Sequence, residues 1–310
     1  MSNETSPQDL RIVYMGTPEF AVPSLNILVE NGFNVVGVIT APDKPKGRGQ
    51  KVATSAVKEA ALKHGLHIMQ PTKLKDPDFQ AELRSLKANL QVVVAFRMLP
   101  EAVWDMPEIG TFNLHGSLLP QYRGAAPINW AIMNGETETG VTTFFLKHEI
   151  DTGHIIFQDK EPIHEADTVG DVYGRLMERG AKLVLKTVQA IAEGKYPQVP
   201  QDETGDLKPA PKIFKETCEI NWDQATDRVY DFIRGLSPYP AAWTTVNGSQ
   251  LKIYRTEKVE GRKLGVGEFV TDNKKELLFG TTDGALAVLE LQLQGKRRMA
   301  IEDFLRGNKL

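Results

Sequence analysis

The sequence predicts an α/β protein: a Rossmann-like, mostly parallel sheet with helices on both faces, followed by a small C-terminal OB-like β-barrel. Three observations carry this. Through residues 11–115, short and continuously apolar strands alternate with stretches of helical spacing, the pattern of βαβ units. A proline-rich stretch, Gly194–Pro211, then breaks the period. Beyond it come one helix and five short strands divided by glycine-containing turns. At 310 residues the chain suits two domains of ~100–200 residues each. The expected division is 1–195, a linker at 196–211, and 212–310.

Taken in order, Arg11–Met15 is a short apolar strand ending in Gly16-Thr17-Pro18, and Pro23–Glu30 has helical spacing. Asn34–Thr40 is a β-branched run and reads as a strand. Ser55–His64 is a helix, His67–Gln70 a brief strand and Asp78–Leu86 a helix. Leu90–Phe96 is apolar apart from Gln91, the near-continuous run of a strand covered on both faces. Gly110–His115 follows a further short helical segment, and Thr139–Leu146 and Ile155–Ile163 continue as strands. Thr168–Glu193 is a long amphipathic helix. Pro197, Pro200, Pro209 and Pro211 mark an extended linker. Ala225–Gly235 is a helix, and Ala242–Val246, Gln250–Glu257, Gly267–Thr271, Glu276–Gly280 and Ala285–Gln292 are strands. Asn247-Gly248 and Asp283-Gly284 supply tight turns, and Ile301–Arg306 is a closing helix.

Apolar residues make up 41% of the chain and charged residues 25%, enough for a core and too balanced for long-range disorder. A single cysteine, Cys218, excludes an intramolecular disulfide framework and a Cys-rich zinc site. No run approaches the ~20 apolar residues of a membrane span. The first ten residues are polar rather than basic then apolar, so no secretory signal is expected and a cytoplasmic location is. The net charge of −3 is unevenly spread: 20 basic against 26 acidic residues over 1–207, and 17 against 14 over 208–310. The positive second part hints at a polyanionic partner, although an excess this small also arises by chance.

The first β–turn–helix, Gly16-Thr17-Pro18-Glu19-Phe20, has one glycine where a dinucleotide fingerprint needs three. The six histidines show no metal-ligand spacing, and no metal is expected. The densest chemical signal is Asn113-Leu114-His115-Gly116-Ser117-Leu118-Leu119-Pro120-Gln121-Tyr122-Arg123-Gly124. It begins at the C-terminal end of a strand, where open α/β sheets bind ligands. Strand alternation puts Asn113 and His115 on one side, so a carboxamide and an imidazole can donate to a single oxygen. A satisfied polar pair at a strand end would look the same. Downstream, Asp151-Thr152-Gly153 lies in the turn after another strand, where Asp151 either shapes the turn or pairs with the imidazole.

Together, Asn113-x-His115-x-Ser117-Leu118-Leu119-Pro120-x-Tyr122-Arg123-Gly124 and Asp151-Thr152-Gly153 resemble the formyltransferases that use 10-formyltetrahydrofolate. Supporting runs are Gly16–Phe20, Pro42–Gly49, Gly124–Ile128 and Glu138–Thr142, with looser similarity at Gln201–Glu203 and Ile220–Trp222. The basic loop and the C-terminal region make the chain most similar to members that act on a charged initiator tRNA. One departure is Ala95-Phe96-Arg97-Met98-Leu99-Pro100, a residue shorter than the family's usual loop there.

The resemblance implies formyl transfer from 10-formyltetrahydrofolate to the α-amino group of methionyl initiator tRNA, without a metal. Asn113 and protonated His115 would donate to the formyl oxygen as its negative charge develops, and Asp151 would orient the ring and favour its positive charge. Loss of either donor should cost on the order of 10²–10³ in rate. Folate binding is expected from Ser117, Leu118, Leu119 and Pro120 and from Phe96, Arg97, Met98 and Leu99. Taken alone, Ser117 reads equally as a turn hydroxyl, and Leu118 and Leu119 as core. The long basic loop Ala41–Lys51 suits RNA phosphates, with Lys46, Arg48 and Lys51 as candidates. Two alternatives stay open: an amino sugar or other small amine as acceptor, and an RNA-binding module without catalysis.

Overall fold

The protein is described by a computed structural model covering residues 9–46 and 51–310. Its elements are β1 (Arg11–Gly16), α1 (Val22–Glu30), β2 (Asn34–Ile39), β3 (Lys44–Lys46), β4 (Lys51–Ala53), α2 (Ala56–Lys63), β5 (Ile68–Met69) and α3 (Pro77–Ser85). Then come β6 (Leu90–Val94), α4 (Glu101–Trp104), β7 (Gly110–His115), α5 (Pro127–Met133), β8 (Glu138–Phe145), β9 (Ile155–Pro162) and α6 (Val169–Ala192). The chain finishes with α7 (Thr226–Gly235), β10 (Ala242–Val246), β11 (Ser249–Val259), β12 (Phe269–Thr271), β13 (Leu277–Gly280), β14 (Ala285–Leu293), β15 (Met299–Ala300) and α8 (Ile301–Gly307).

Chain contacts divide these into two compact units. The first comprises the chain up to Arg123 with Gly140–Glu161 and Gly174–Lys208; the second comprises Gly124–Thr139, Pro162–Tyr173 and Pro209–Leu310.

The first unit is built on a seven-stranded sheet in the order β5-β2-β1-β6-β7-β8-β9. β1 pairs parallel with both β2 and β6, and β6 parallel with β7, whereas β8 runs antiparallel to β7. Strand order therefore reverses between β1 and β6, and the C-terminal ends of β6 and β7 lie beside that reversal, where such sheets bind ligands. All five residues of β6 are buried, which accounts for its apolar run. The helices start where side chains can satisfy free N–H groups: Ser55 caps α2 by accepting from Lys58 N, and Asp76 caps α3 by accepting from Asp78 N ahead of Pro77. Val13, Met15, Ile39, Phe79, Leu83 and Val93 form the core on one face, and Phe96 and Leu99 pack against it. Between β9 and α6 the buried Glu161 accepts from Arg175 Nε at 2.6 Å and Arg179 Nε at 2.8 Å.

The basic loop after β2 is in part regular structure: Lys44–Lys46 and Lys51–Ala53 pair as a two-stranded antiparallel ribbon at its base. Pairing satisfies main-chain groups that a bare loop would leave to water.

The second unit is an antiparallel half-barrel in the order β10-β11-β14-β13-β12, with β15 added on β14. Its core contains Trp222, Ile233, Leu251, Phe279, Leu291 and Phe304, and the rings of Trp222 and Phe279 stack with centroids 4.5 Å apart. β15 is too short to carry a period and was not expected from the sequence. Among the described residues no helix is long and apolar enough to cross a membrane.

Candidate active site

β7 turns Asn113 and His115 to one side of the sheet and Phe112 and Leu114 to the other. The second side is packed: a Cβ on Gly180 of α6 would lie 2.7 Å from Leu114 Cδ2. The imidazole of His115 is buried, 6% exposed, with its edge toward Phe144 at a centroid distance of 6.5 Å. Its Nε2 lies 2.8 Å from the main-chain oxygen of Tyr122. A carbonyl only accepts, so Nε2 carries a proton, and Nδ1 is left as the nitrogen facing Asp151. The distance from Nδ1 to Asp151 Oδ2 is 3.9 Å, too long for a hydrogen bond and within ion-pair range when the ring is doubly protonated. Among the described residues, Asn113 Oδ1 is buried and has no hydrogen-bond partner. An orphaned acceptor at a strand end is costly, about 1–3 kcal/mol, unless something else supplies the donor.

Backbone strain gathers at the same place. Ala95 after β6, Tyr122 beside His115, and Asp151 have φ of 46°, 61° and 57°. The left-handed region costs non-glycine residues roughly 1–3 kcal/mol each and persists where surrounding contacts enforce it. The Asp151 turn is held tightly at Gly153, where a Cβ would lie 1.5 Å from Phe145 O. Gln201 Nε2 donates to the carbonyls of Asp151 at 2.7 Å and Gly153 at 2.9 Å. On its outer side the turn helps line a depression of about 500 Å³ with Trp104, His148, Thr152 and Gln201, which neither Asn113 nor His115 lines.

The expected folate residues divide by surroundings. Ser117 is buried and its hydroxyl donates to Gln121 O at 2.7 Å, so that oxygen already shapes the loop. Leu119 is buried; its N–H donates to Thr142 Oγ1 at 3.1 Å, and its carbonyl accepts from Gln158 Nε2 at 2.9 Å. Leu118 and Pro120 are half-buried. In the other loop Phe96 and Leu99 face the core, whereas Met98 is 73% exposed. Arg97 donates to the carbonyls of Thr72, at 2.9 Å, and Pro71, pinning that loop; burial lowers its pKa. Of the expected RNA contacts, Lys46 and Lys51 belong to the β3–β4 ribbon, and Arg48 lies outside the described residues.

Sequence reasoning did not find the holding network. Gln201, Arg123, Thr142 and Gln158 carry hydrogen bonds around the site; Arg123, Thr142 and Gln201 lie within the motif runs, and nothing in the sequence signals Gln158. Among the described residues no group of three or more His, Cys, Asp or Glu is placed to hold a metal ion.

Comparison with known proteins gives a consistent result. Residues 10–188 match the family described as "Formyl transferase", and residues 212–309 match "Formyl transferase, C-terminal domain". The chain is 59% identical over 309 residues to methionyl-tRNA formyltransferase of Bacteroides fragilis, covering 97% of this chain and 95% of that one. Among solved structures, an N-formyltransferase from Helicobacter canadensis in complex with folinic acid and dTDP-3-aminofucose superposes with a TM-score of 0.66. It is 21% identical and covers 90% of this chain and 98% of its own. HypX from Aquifex aeolicus in complex with tetrahydrofolic acid gives a TM-score of 0.64 at 21% identity over 94% of this chain. The chain spans only about half of HypX, 46% of its length. At such identities the two structures speak for the fold alone.

Proposed function

The chain belongs to the formyl transferase family, and from that premise we propose that it transfers the formyl group of 10-formyltetrahydrofolate to the α-amino group of methionyl initiator tRNA. The similarity to a methionyl-tRNA formyltransferase at 59% identity extends over both units and so favours this acceptor. An amino sugar is favoured less, because the sugar-related structure shares only 21% of its residues.

The observation that carries the chemistry is the group of three side chains at the end of β7: Asn113 with its orphaned carboxamide oxygen, the buried ring of His115, and Asp151 at 3.9 Å. The α-amino nitrogen attacks the formyl carbon, the bond from that carbon to the folate nitrogen breaks, and the proton lost by the amine ends on the folate nitrogen, which leaves as tetrahydrofolate. The orphaned Asn113 Oδ1 suits an N–H of the incoming amine, and the same carboxamide has N–H donors for the formyl oxygen. With Nε2 engaged by Tyr122, His115 presents Nδ1 to the reaction. Protonated there, it donates to the oxygen as charge develops, where a donor lowers the barrier most. Asp151 stabilises that charged ring and keeps its orientation.

The loop 96–99 and the segment 117–120 are assigned to the walls around the folate. Ser117, whose hydroxyl is engaged, acts through the shape of the segment. Residues 1–195 are assigned to catalysis and 212–310 to tRNA, with 196–211 as the connection. Lys46, Arg48 and Lys51 are assigned to tRNA phosphates on charge alone.

The test is formyl transfer from labelled 10-formyltetrahydrofolate, with methionyl initiator tRNA, charged elongator tRNA, an amino sugar and water offered as acceptors. Label should pass to the initiator tRNA. Passage to the sugar or to water would move the acceptor, and no passage at all would end the enzymatic reading.

A further inference from the structure

We infer that Gln201 is a positioning residue for this reaction: from the segment after α6 it holds the turn carrying Asp151 against His115. The inference rests on the formyl-transfer reading.

The carboxamide of Gln201 is saturated, and its orientation is fixed. Arg123 donates to Oε1 through Nε at 3.1 Å and Nη2 at 2.7 Å. Only an oxygen can face two guanidinium donors, so the amide nitrogen must face the carbonyls of Asp151 and Gly153. Arg123 Nη2 is also 3.0 Å from Glu203 Oε1, which holds the guanidinium in place. The residue before Arg123 is Tyr122, whose main-chain oxygen accepts the hydrogen bond from His115 Nε2.

These contacts close a circuit. His115 is held by Tyr122, Arg123 follows Tyr122 in the chain and grips Gln201, and Gln201 grips the main chain of Asp151, whose carboxylate returns to His115. The segment after α6 is sewn to the same loop again: Tyr122 N donates to Lys208 O at 2.7 Å, and Lys208 N donates to Gln121 Oε1 at 2.9 Å. Asp151 needs such a hold, because its positive φ is unfavourable for an aspartate and most of the turn around it, Lys147–Glu149 included, is solvent-facing. Both partners of the pair thus take their positions from one stretch that a reading of composition treats as a spacer.

Gln201→Glu separates positioning from simple anchorage. A carboxylate keeps, and strengthens, the acceptor for Arg123, but it has no N–H for the two carbonyls and repels them. The experiment measures kcat and KM for both substrates in the native chain, Gln201→Glu and Gln201→Met, with amide hydrogen exchange followed through residues 146–154.

Both variants should lower kcat about 10–100-fold, as displacement of a catalytic group by an ångström does. KM for each substrate should change by no more than about twofold, since no substrate contact is lost. Exchange should quicken in 146–154 and stay native elsewhere. If Gln201→Met does not fold, Gln201→Glu, which keeps the Arg123 pairing, carries the test. Native kcat in Gln201→Glu, or unchanged exchange in 146–154, would overturn the inference. A raised KM at native kcat would also overturn it, by making Gln201 a substrate contact. Should the native chain transfer no formyl group, the formyl-transfer reading falls, while the exchange comparison still decides whether Gln201 holds the turn.

Discussion

His115 donates through Nε2 to the main-chain oxygen of Tyr122 at 2.8 Å, and that bond determines which ring nitrogen is available for chemistry. Nδ1 remains, 3.9 Å from the Asp151 carboxylate. Asp151→Asn keeps the shape of the side chain and removes the negative charge that lies 3.9 Å from Nδ1. With acid–base assistance worth typically 10²–10⁴-fold, kcat should fall by roughly 10² or more, with KM for tRNA near native. Steady-state kinetics at saturating folate measures this.

Gly153→Ala tests the turn from its other end. The new methyl group would lie 1.5 Å from Phe145 O, so either the turn or the end of β8 must move. Asp151 would be carried with it, and kcat should drop by about 10²-fold while the overall fold persists. Circular dichroism alongside the assay separates a displaced turn from an unfolded chain.

Ser117→Ala should behave as a structural change. The substitution leaves the Gln121 carbonyl without its 2.7 Å donor, at a cost of about 1–3 kcal/mol in stability. Thermal melting should register the loss, while KM for 10-formyltetrahydrofolate stays close to native. A large rise in that KM with an unchanged melting temperature would instead make the hydroxyl a folate ligand.

How much of this was legible in the sequence follows from the range of the interactions. The parallel sheet could be read from runs such as Leu90–Phe96, because burial on both faces removes alternation locally. Asn113 and His115 could be placed on one side because strand alternation is a two-residue rule. The Asp151 partnership came through resemblance, since 36 residues separate it from His115 and no local period links them. The tautomer of His115 depends on Tyr122 turning its carbonyl inward through a positive φ, which nothing in that residue's chemistry signals. Likewise Gln121, Arg123 and Gln201 are ordinary surface residue types, and their side-chain hydrogen bonds span 48 to 87 positions. The ribbon β3–β4 escaped notice because Lys-Pro-Lys is poor strand chemistry and only cross-strand pairing makes it regular.

The second unit offers a test of stability against pH. Asp272 Oδ1 accepts from the main-chain N–H groups of Lys274, Lys275 and Glu276, each at 2.9 Å, and these donors hold its pKa down to about 2. A carboxylate depressed on folding contributes stability above its unfolded value of ~3.9 and loses it as pH falls through the folded value. Asp272→Asn removes that charge, so the native chain's advantage in urea midpoint should shrink from pH 4 toward pH 2. A constant difference across that window would remove the turn from the acid response.

The most direct test of the proposed chemistry is single-turnover formyl transfer to methionyl initiator tRNA, with both substrates saturating, in the native chain and in Asn113→Ala. Truncation removes the orphaned Oδ1 together with the amide donors on β7 and leaves His115 on its Tyr122 carbonyl. The rate should fall by about 10²–10³, as loss of one oxyanion donor does elsewhere. Undiminished transfer in the variant would contradict the reading, because the reaction would then proceed without the side chain at its centre.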